Sequence, residues 1–381
     1  MNRVYLDSAA TTQMRKEVIE RITQVMENEY GNPSSTHSFG RSSKSIIENA
    51  RKTIAKQLKV SASEIIFTSG GTEADNLVLN SCVRDLDVRR IITSKIEHHA
   101  VLHTVDQLQE CFDVEINYVT IKPCGSVDYF DLEKLLKSSG QKTLVSLMHI
   151  NNEIGTILDI ERVAEMCKKH NALFHSDTVQ SIGHYDIDLS KIGVDFTAVA
   201  AHKFHGPKGV GFAYIRKNTG LQSLIFGGEQ ERGLRAGTEA VQNIAGLETA
   251  FQIAYEKLEE EKAYITGLKN HFIAQLKANI PGVKFNGCCE DGEKSTYTLV
   301  NVCLPVPPEK ALMLLFQLDL KGIACSKGSA CQSGSDKGSH VLKVILEEED
   351  LKNPSIRFSF SPFNTKEELD YVVAVLKDFI F

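Results

Sequence analysis

The chain has 381 residues, 42% of them hydrophobic and 24% charged, which is typical of a globular protein large enough for two domains. Its net charge of −6 argues against direct binding of nucleic acid or of an anionic membrane surface. We found no signal-peptide pattern and no apolar run near the roughly 20 residues of a membrane span. Nine cysteines are too sparse for a disulfide scaffold, so we expect a cytoplasmic protein with reduced thiols.

The first half of the chain predicts an α/β domain. Apolar residues at helical spacing over 18–26 predict an amphipathic helix, and residues 28–39 form a loop rich in Gly, Asn, Pro and Ser. Short apolar segments then alternate with helical patterns, which predicts a mostly parallel sheet covered by helices on both faces. The predicted strands are 65–68, 91–93, 114–119, 144–148, 172–176, 196–200 and 210–215.

The second half predicts a smaller α+β domain. A long helical pattern over 238–280 indicates a bridge between the domains. Thr365 and Glu368 have the spacing of a capping box, which predicts the start of a final helix. Between these two helical patterns we expect a strand at 296–304, a helix at 310–318, a Gly/Ser/Cys-rich loop and a strand at 356–360. The large domain is therefore predicted over residues 15–257 and the small domain over 1–14 and 258–381.

Lys203 is the first residue to indicate chemistry. It follows the apolar strand 196–200 and lies between two histidines, before a Gly-Pro-Lys-Gly turn. Burial lowers the pKa of a lysine, which suits its amine to forming a Schiff base with an aldehyde cofactor. For a single lysine the alternative is a side chain that snorkels to the surface before a turn.

Two other strand ends carry complementary groups. The Gly70-Gly71-Thr72 turn precedes a helix, where free backbone N–H groups bind anions, and Thr72 and Asp75 have capping-box spacing. Asp177 ends a second buried strand, where a carboxylate needs a partner such as a protonated ring nitrogen, or else caps the next helix. A phosphate-binding turn, a strand-end acid and a strand-end lysine in this order are what a pyridoxal phosphate (PLP) site requires.

The sequence also resembles the NifS/IscS-type cysteine desulfurases, which belong to the class V aminotransferases and have PLP fold type I. The resemblance extends from residue 4 to about residue 373. The motifs that carry it are YLD at 5–7, GNPSS at 31–35, FTSGGTE at 67–73, EH at 97–98, HINNEIG at 149–155, HK at 202–203, RAGT at 235–238, GSAC at 328–331 and SIRFS at 355–359.

The resemblance implies a role for each candidate cofactor-binding residue. Lys203 would hold the aldehyde of PLP and move the substrate Cα proton. Asp177 would pair with the pyridine nitrogen, and the phosphate would lie at Gly71. The remaining contacts would come from Gln180 to the ring hydroxyl, from His98 stacked on the ring as a possible acid/base, and from Thr72 and His202 to the phosphate.

The resemblance also implies the substrate and the partners. Asn152 and Arg357 would hold the carboxylate of L-cysteine, which suits the two-pronged guanidinium. Cys331 would take the sulfur as a persulfide and pass it to an acceptor protein for iron–sulfur cluster or other sulfur-containing cofactor or tRNA biosynthesis. Thr238 would reach the phosphate of the neighbouring subunit, which implies a homodimer. Independently of the family, Cys331 lies in a loop of small residues with Lys327 nearby, which favours a mobile thiolate.

Three features depart from the family pattern. Ala200 replaces the serine whose hydroxyl usually contacts the phosphate, so we expect weaker retention of the cofactor. Cys325, six residues before Cys331, is a second thiol that would form a disulfide, relay the persulfide or be a bystander. The chain ends at Phe381, soon after its last predicted helix, which leaves delivery to an iron–sulfur scaffold open.

Other functions remain open on the sequence alone. A related class V aminotransferase or a selenocysteine lyase would use the same lysine and acid, although simple transamination has no use for a thiol nucleophile. A non-enzymatic interaction module is not favoured, because Lys203, Asp177, Arg357 and Cys331 are all retained. We expect no metal, since the cysteines lack paired C-x-x-C spacing.

Overall fold

The computed structural model describes residues 3–327 and 338–381. In this part of the chain no helix is both long and apolar enough to cross a membrane. The strands of the described residues are β1 (Val4–Tyr5), β2 (Ile65–Thr68), β3 (Arg90–Thr93), β4 (Glu115–Tyr118), β5 (Thr143–Ser146), β6 (Leu173–Asp177), β7 (Phe196–Ala200), β8 (Gly211–Ile215), β9 (Lys284–Phe285), β10 (Leu299–Cys303), β11 (Ile323–Ala324) and β12 (Ser355–Ser359).

The largest sheet of the described chain has seven strands in the order β2-β8-β7-β6-β5-β3-β4. The strands from β7 to β4 are parallel to one another, whereas β8 runs antiparallel to both of its neighbours. All seven strands predicted for this domain are confirmed, with ends that differ by at most two residues. Because parallel strands end at the same edge, β6 and β7 deliver the residues that follow them to one place.

Helices cover the sheet and connect its strands. The single helical pattern predicted over 238–280 is two helices that meet at Lys257, and the predicted helix 310–318 is likewise divided in two. The capping box of Thr365 and Glu368 is confirmed at the start of the last helix. The helices of the described residues are α1 (Lys16–Asn28), α2 (Ser38–Gln57), α3 (Gly71–Asp85), α4 (His99–Phe112), α5 (Tyr129–Lys137), α6 (Ile160–Lys169), α7 (Leu189–Ile192), α8 (Val241–Glu256), α9 (Leu258–Asn279), α10 (Pro308–Ala311), α11 (Leu314–Leu320), α12 (His340–Ile345), α13 (Glu348–Leu351) and α14 (Lys366–Ile380).

The two faces of the seven-stranded sheet belong to different hydrophobic cores. Along β2, Ile65 and Phe67 pack into a core with α1, α2 and α8, whereas Ile66 packs into a second core with α3 and α4. Burial on both faces explains why these strands are continuously apolar rather than alternating. The confirmed architecture is thus a mostly parallel sheet between two layers of helices.

A separate core lies in the C-terminal part of the chain. It packs α9 and α14 against an antiparallel sheet of order β12-β10-β9, and Val4 and Leu6 from the N-terminus join it. The Ser359 N–H donates to the Leu6 carbonyl at 2.8 Å, which sets the N-terminal segment beside β12. This α+β arrangement was expected, while the domain limits of residues 1–14, 15–257 and 258–381 stay predictions.

Candidate cofactor and substrate site

A cavity with about 730 Å³ of empty volume opens at the carboxyl ends of β6 and β7. Most of the residues predicted for the site line it, including residues from both the large sheet and β12. The predicted residues in its wall are Gly71, Thr72, His98, Asn152, Asp177, Gln180, His202, Lys203 and Arg357.

Lys203 ends a short 3-10 helix that directly follows β7. Its Nζ donates to the backbone carbonyls of Ala9 and Ala10 at 2.7 and 2.8 Å, and Gln180 Nε2 donates to the same Ala9 carbonyl at 3.0 Å. The N-terminal segment therefore holds the lysine amine at the cavity. Sequence reasoning missed Ala9 and Ala10, because a backbone acceptor leaves no side-chain signature.

Asp177 is the last residue of β6 and is almost fully buried. Burial raises the pKa of its carboxyl to about 6, although a hydrogen bond from the Val179 N–H at 2.9 Å and the charge of Lys203 both favour ionisation. A cationic ring N–H placed against this carboxylate would stabilise its ionised form further. The strand-end acid is thus prepared for a protonated heterocycle.

A second buried acid, Asp75 on α3, shares this part of the cavity. One side-chain oxygen or nitrogen from each of Asp75, His98 and Asp177 lies within 4.8 Å of the other two. Among the described residues, these three form the one cluster whose spacing could hold a metal ion. Burial raises the pKa of Asp75 well above its usual value, and the charges of Asp177 and Glu97 add to that effect. Asp75 therefore keeps its proton while Asp177 ionises. The expectation that the protein binds no metal stays a prediction.

The capping box predicted from Thr72 and Asp75 does not form, because α3 begins at Gly71, two residues earlier than a cap at Thr72 requires. Instead the Glu73 carboxylate accepts a hydrogen bond from the Ser69 N–H at 2.9 Å. A Cβ on Gly71 would lie 2.6 Å from Val179 Cγ2, so glycine is required where the helix start faces the cavity. This helix start is a suitable phosphate site, since its first N–H groups point outward.

The two candidate histidines are both held neutral. Burial, followed by the charge of Lys203, lowers the pKa of His98 and of His202 to about 4. His98 precedes α4, and its Nδ1 accepts a hydrogen bond from the Ala100 N–H at 3.1 Å. His202 Nδ1 lies 3.2 Å from Thr11 Oγ1. A neutral imidazole can stack on a ring and can accept a hydrogen bond at one nitrogen while it donates from the other.

Arg357 on β12 also lines the cavity. Its Nη1 donates to the Asn152 carbonyl at 2.7 Å and its Nη2 to Asp7 Oδ1 at 2.8 Å, while Ser326 Oγ also donates to Asp7 at 2.8 Å. The side chain is 1% exposed, and its Nε has no hydrogen-bond partner among the described residues. Within the described part of the chain, Arg357 therefore has one buried N–H without a partner, in a side chain that lines the cavity.

Three sequence expectations are not placed in this cavity. Cys331 lies outside the described residues. Burial, with the charge of Asp7, raises the pKa of Cys325 to about 12, which favours a bystander over a persulfide relay. Thr238 lines a separate pocket beside Ser69, so its proposed contact with a neighbouring subunit stays a prediction.

These residues fit pyridoxal phosphate. A lysine amine and a buried strand-end carboxylate face one cavity, the Gly71 helix start leaves space that a side chain would fill, and Arg357 keeps an unpaired donor. Together with the mostly parallel seven-stranded sheet, they define a PLP-dependent enzyme of fold type I.

Comparison with known proteins places the chain more narrowly. Residues 4–372 match the Aminotransferase class-V family, and the chain belongs to that family. It is 42% identical to "Cysteine desulfurase IscS" of Dictyoglomus turgidum, over 99% of this chain and 94% of the relative. A solved "NIFS-LIKE PROTEIN" superposes with a TM-score of 0.90 at 37% identity, over 99% of both chains. A structure titled "SspA in complex with cysteine" gives a TM-score of 0.78 at 30% identity, over 95% of this chain and 100% of that one.

Proposed function

We propose that the protein is a PLP-dependent cysteine desulfurase that converts L-cysteine to L-alanine and receives the sulfane sulfur on Cys331. The observation that carries the proposal is the single cavity in which Lys203, Asp177 and Arg357 meet, since it provides for both a cofactor and an amino-acid carboxylate. Full-length similarity to proteins named cysteine desulfurase supports the choice of reaction within the class V family.

The cofactor end of the cavity would provide the groups for breaking bonds at the substrate Cα and Cβ. When bound, PLP supplies an electron sink for this chemistry. Lys203 would hold its aldehyde and later carry the proton removed from Cα, because its amine is kept at the cavity by the Ala9 and Ala10 carbonyls. Asp177 would keep the ring nitrogen protonated, and neutral His98 would stack on the ring and accept or return a proton.

The phosphate and the substrate carboxylate would lie at opposite ends. The start of α3 at Gly71, with Thr72 and His202, would hold the phosphate. At the other end Arg357 would bind the carboxylate of L-cysteine together with Asn152. The contacts of Arg357 with Asp7 and the Asn152 carbonyl fix its orientation, so little side-chain entropy is lost on binding.

Sulfur transfer would be carried out by Cys331. Its thiolate would attack the substrate sulfur, an S–S bond would form and the substrate Cβ–S bond would break. The electron pair of that bond goes to Cβ, which becomes the methyl group of alanine after protonation. Overall, cysteine and a protein thiol give alanine and a protein persulfide, with no external oxidant or reductant.

The same proposal includes the sulfur acceptor, the oligomeric state and the cellular location. The persulfide would pass to a sulfur-acceptor protein for iron–sulfur clusters or for other sulfur-containing cofactors or tRNA. Thr238 is exposed in the single chain, which leaves it accessible to the phosphate of a second subunit in a homodimer. The reaction and the reduced thiols are in keeping with a cytoplasmic location.

The test is release of sulfide and alanine from L-cysteine in the presence of a thiol reductant. We expect equimolar products from the wild type and none from Cys331→Ala, which should still bind the cofactor and remain yellow. Cys111→Ala, at an exposed cysteine on α4, is the matched control and should retain full activity. Undiminished release by Cys331→Ala would contradict the role of this thiol, and absence of sulfide from both proteins would favour the aminotransferase alternative.

A further inference from the structure

Two partly exposed cysteines outside the catalytic cavity lie against each other. Cys124 lies in a turn between β4 and α5, and Cys288 lies in the loop after β9. The Cys288 thiol donates to the Cys124 carbonyl at 3.4 Å. Ser126 Oγ lies 3.4 Å from Cys124 Sγ and 3.9 Å from Cys288 Sγ, so one hydroxyl contacts both sulfur atoms. The catalytic proposal uses neither of them.

The two thiols are electrostatically unequal. Burial opposes ionisation of Cys124, but hydrogen bonds from Ser126 and from the Cys288 thiol lower its pKa below the usual value. Burial and the neighbouring Cys124 raise the pKa of Cys288. The Lys294 ammonium, paired with Asp291 at 3.2 Å, adds positive charge near both sulfur atoms. One sulfur is therefore prepared to attack while the other keeps its proton, as in a reactive dithiol.

We propose that Cys124 and Cys288 are a redox modification site, oxidised by a low-molecular-weight disulfide to an intramolecular disulfide. The Cys124 thiolate attacks the small disulfide, which forms a mixed disulfide and releases one thiolate. The Cys288 thiolate then attacks the Cys124 sulfur, which forms the protein S–S bond and releases the second thiolate. The two protein thiols lose two electrons and two protons, and the small disulfide becomes two thiols.

The turn that carries Cys124 packs against the segment 151–157. The Cys124 carbonyl accepts a hydrogen bond from Thr156 Oγ1 at 3.2 Å. Gly125 touches Ile154 so closely that an added Cβ would lie 2.3 Å from its Cδ1. The same segment includes Asn152, whose carbonyl holds Arg357.

The loop that carries Cys288 packs against the same two residues of this segment, Ile154 and Thr156. A Cβ on Gly287 would lie 3.0 Å from Ile154 Cβ, and the Ile157 N–H donates to the Lys294 carbonyl at 2.9 Å. A bond between Cys124 and Cys288 would therefore tie together two loops that both pack against the segment that positions Arg357. It would also join parts of the chain far apart in sequence, and closing so long a loop restricts the unfolded chain strongly.

The experiment uses the full-length, cofactor-loaded protein without L-cysteine, equilibrated with glutathione disulfide or with reduced glutathione. Free thiols are alkylated, and peptides are mapped by mass spectrometry without reduction. We expect the peptides of Cys124 and Cys288 to be joined only in the oxidised sample, with two fewer alkylated thiols. The Tm of the oxidised protein should rise by about 5 °C.

Variants separate this pair from the other cysteines. Cys124→Ser and Cys288→Ser should each abolish the linked peptide and the rise in Tm, whereas Cys111→Ser should retain both. Mapping also distinguishes Cys288 from the adjacent Cys289, which is buried and whose pKa is raised by that burial. Separate glutathione adducts on the two cysteines, free thiols on both, or linkage of either to another cysteine would overturn the proposal. Because no outcome is read from catalysis, the result is independent of the proposed function.

Discussion

Two buried clusters of charged side chains in the same domain are balanced in different ways. Beneath β2, the Arg51 guanidinium donates to both carboxylate oxygens of Glu231 at 2.7 Å and lies 4.8 Å from the Phe67 ring centroid. Next to the catalytic cavity, Glu97 is met by the Ser94 hydroxyl at 2.7 Å and the Met148 N–H at 2.8 Å, neither of which is charged. The first cluster neutralises its charge within the chain, and the second retains protons instead.

The difference separates a structural cluster from one prepared for a ligand. Arg51 and Glu231 form a buried bidentate pair, so removing one partner leaves an uncompensated buried charge. The pKa of Glu97 is raised to about 8, first by burial and then by the charge of Asp177, and it therefore takes up a proton on folding. A cationic ligand ring would change the balance of the second cluster and leave the first unaffected.

The largest expected effect on activity comes from removing the Lys203 amine. Lys203→Ala should reduce desulfuration by about 10⁴-fold, because one residue would lose both covalent attachment of PLP and transfer of the Cα proton. The measurement is single-turnover release of alanine, together with the absorbance of the bound cofactor. Lys208→Ala, at an exposed lysine of the same turn, should keep wild-type activity. Retained activity in Lys203→Ala would remove the lysine from the mechanism.

The next effect concerns stability and the structural cluster. Glu231→Gln should lower the free energy of unfolding by about 3–5 kcal/mol, because Arg51 would remain buried without its counter-charge. Urea unfolding followed by circular dichroism measures this change. Glu48→Gln removes the more exposed partner of Arg51, at 3.1 Å, and should cost less than about 1 kcal/mol. Equal losses in the two variants would contradict the contrast between the clusters.

A smaller effect should appear as pH dependence of stability in the catalytic cluster. The folded-state pKa of Glu97, about 8, exceeds the usual glutamate value of 4.5, so its contribution to stability is complete below pH 4.5 and is lost as the pH rises towards 8. From pH 5 to pH 7 the wild type should therefore lose roughly 2 kcal/mol more stability than Glu97→Gln, which mimics the protonated acid.

Urea midpoints at the two pH values provide this comparison, measured on protein stripped of cofactor. Glu133→Gln is the control, because hydrogen bonds from Lys169 and Lys137 lower the pKa of that carboxyl to about 2. Its stability contribution changes below pH 4.5, so this variant should follow the wild type between pH 5 and pH 7. A wild type that loses no more stability than Glu97→Gln would show that Glu97 is ionised in the fold.

The smallest expected effect is a gain at the phosphate end. Ala200 ends β7, and its Cβ lies 3.8 Å from the position that a Cβ on Gly71 would take. Ala200→Ser should therefore add a hydroxyl near the start of α3 and tighten PLP binding by about tenfold, as one charge-assisted hydrogen bond would. Titration of stripped protein with PLP, followed by fluorescence, gives the dissociation constant. An unchanged constant would show that the missing hydroxyl is without consequence.

Local sequence patterns were sufficient for much of the fold and for the reactive core of the site. Most of the seven strands were predictable because they are short apolar segments buried on both faces, the partly exposed edge strand β4 being the exception. Asp177 and Lys203 were predictable because they lie at or just after the ends of two such strands. The ends of these strands meet because parallel strands share an edge, which is a consequence of pattern alone. The capping box of Thr365 and Glu368 was predictable for a similar reason, since it joins residues only three positions apart.

Only the tertiary structure decided which distant groups complete the site. The carbonyls that hold Lys203 come from Ala9 and Ala10, and the carboxylate that orients Arg357 comes from Asp7, in each case from a remote part of the chain. Asp75 was predicted to cap a helix, yet it lies close to Asp177, because α3 begins two residues earlier than its spacing suggested. Such contacts depend on how helices and sheets pack, and the free energy of packing is shared among many residues rather than recorded in a local motif.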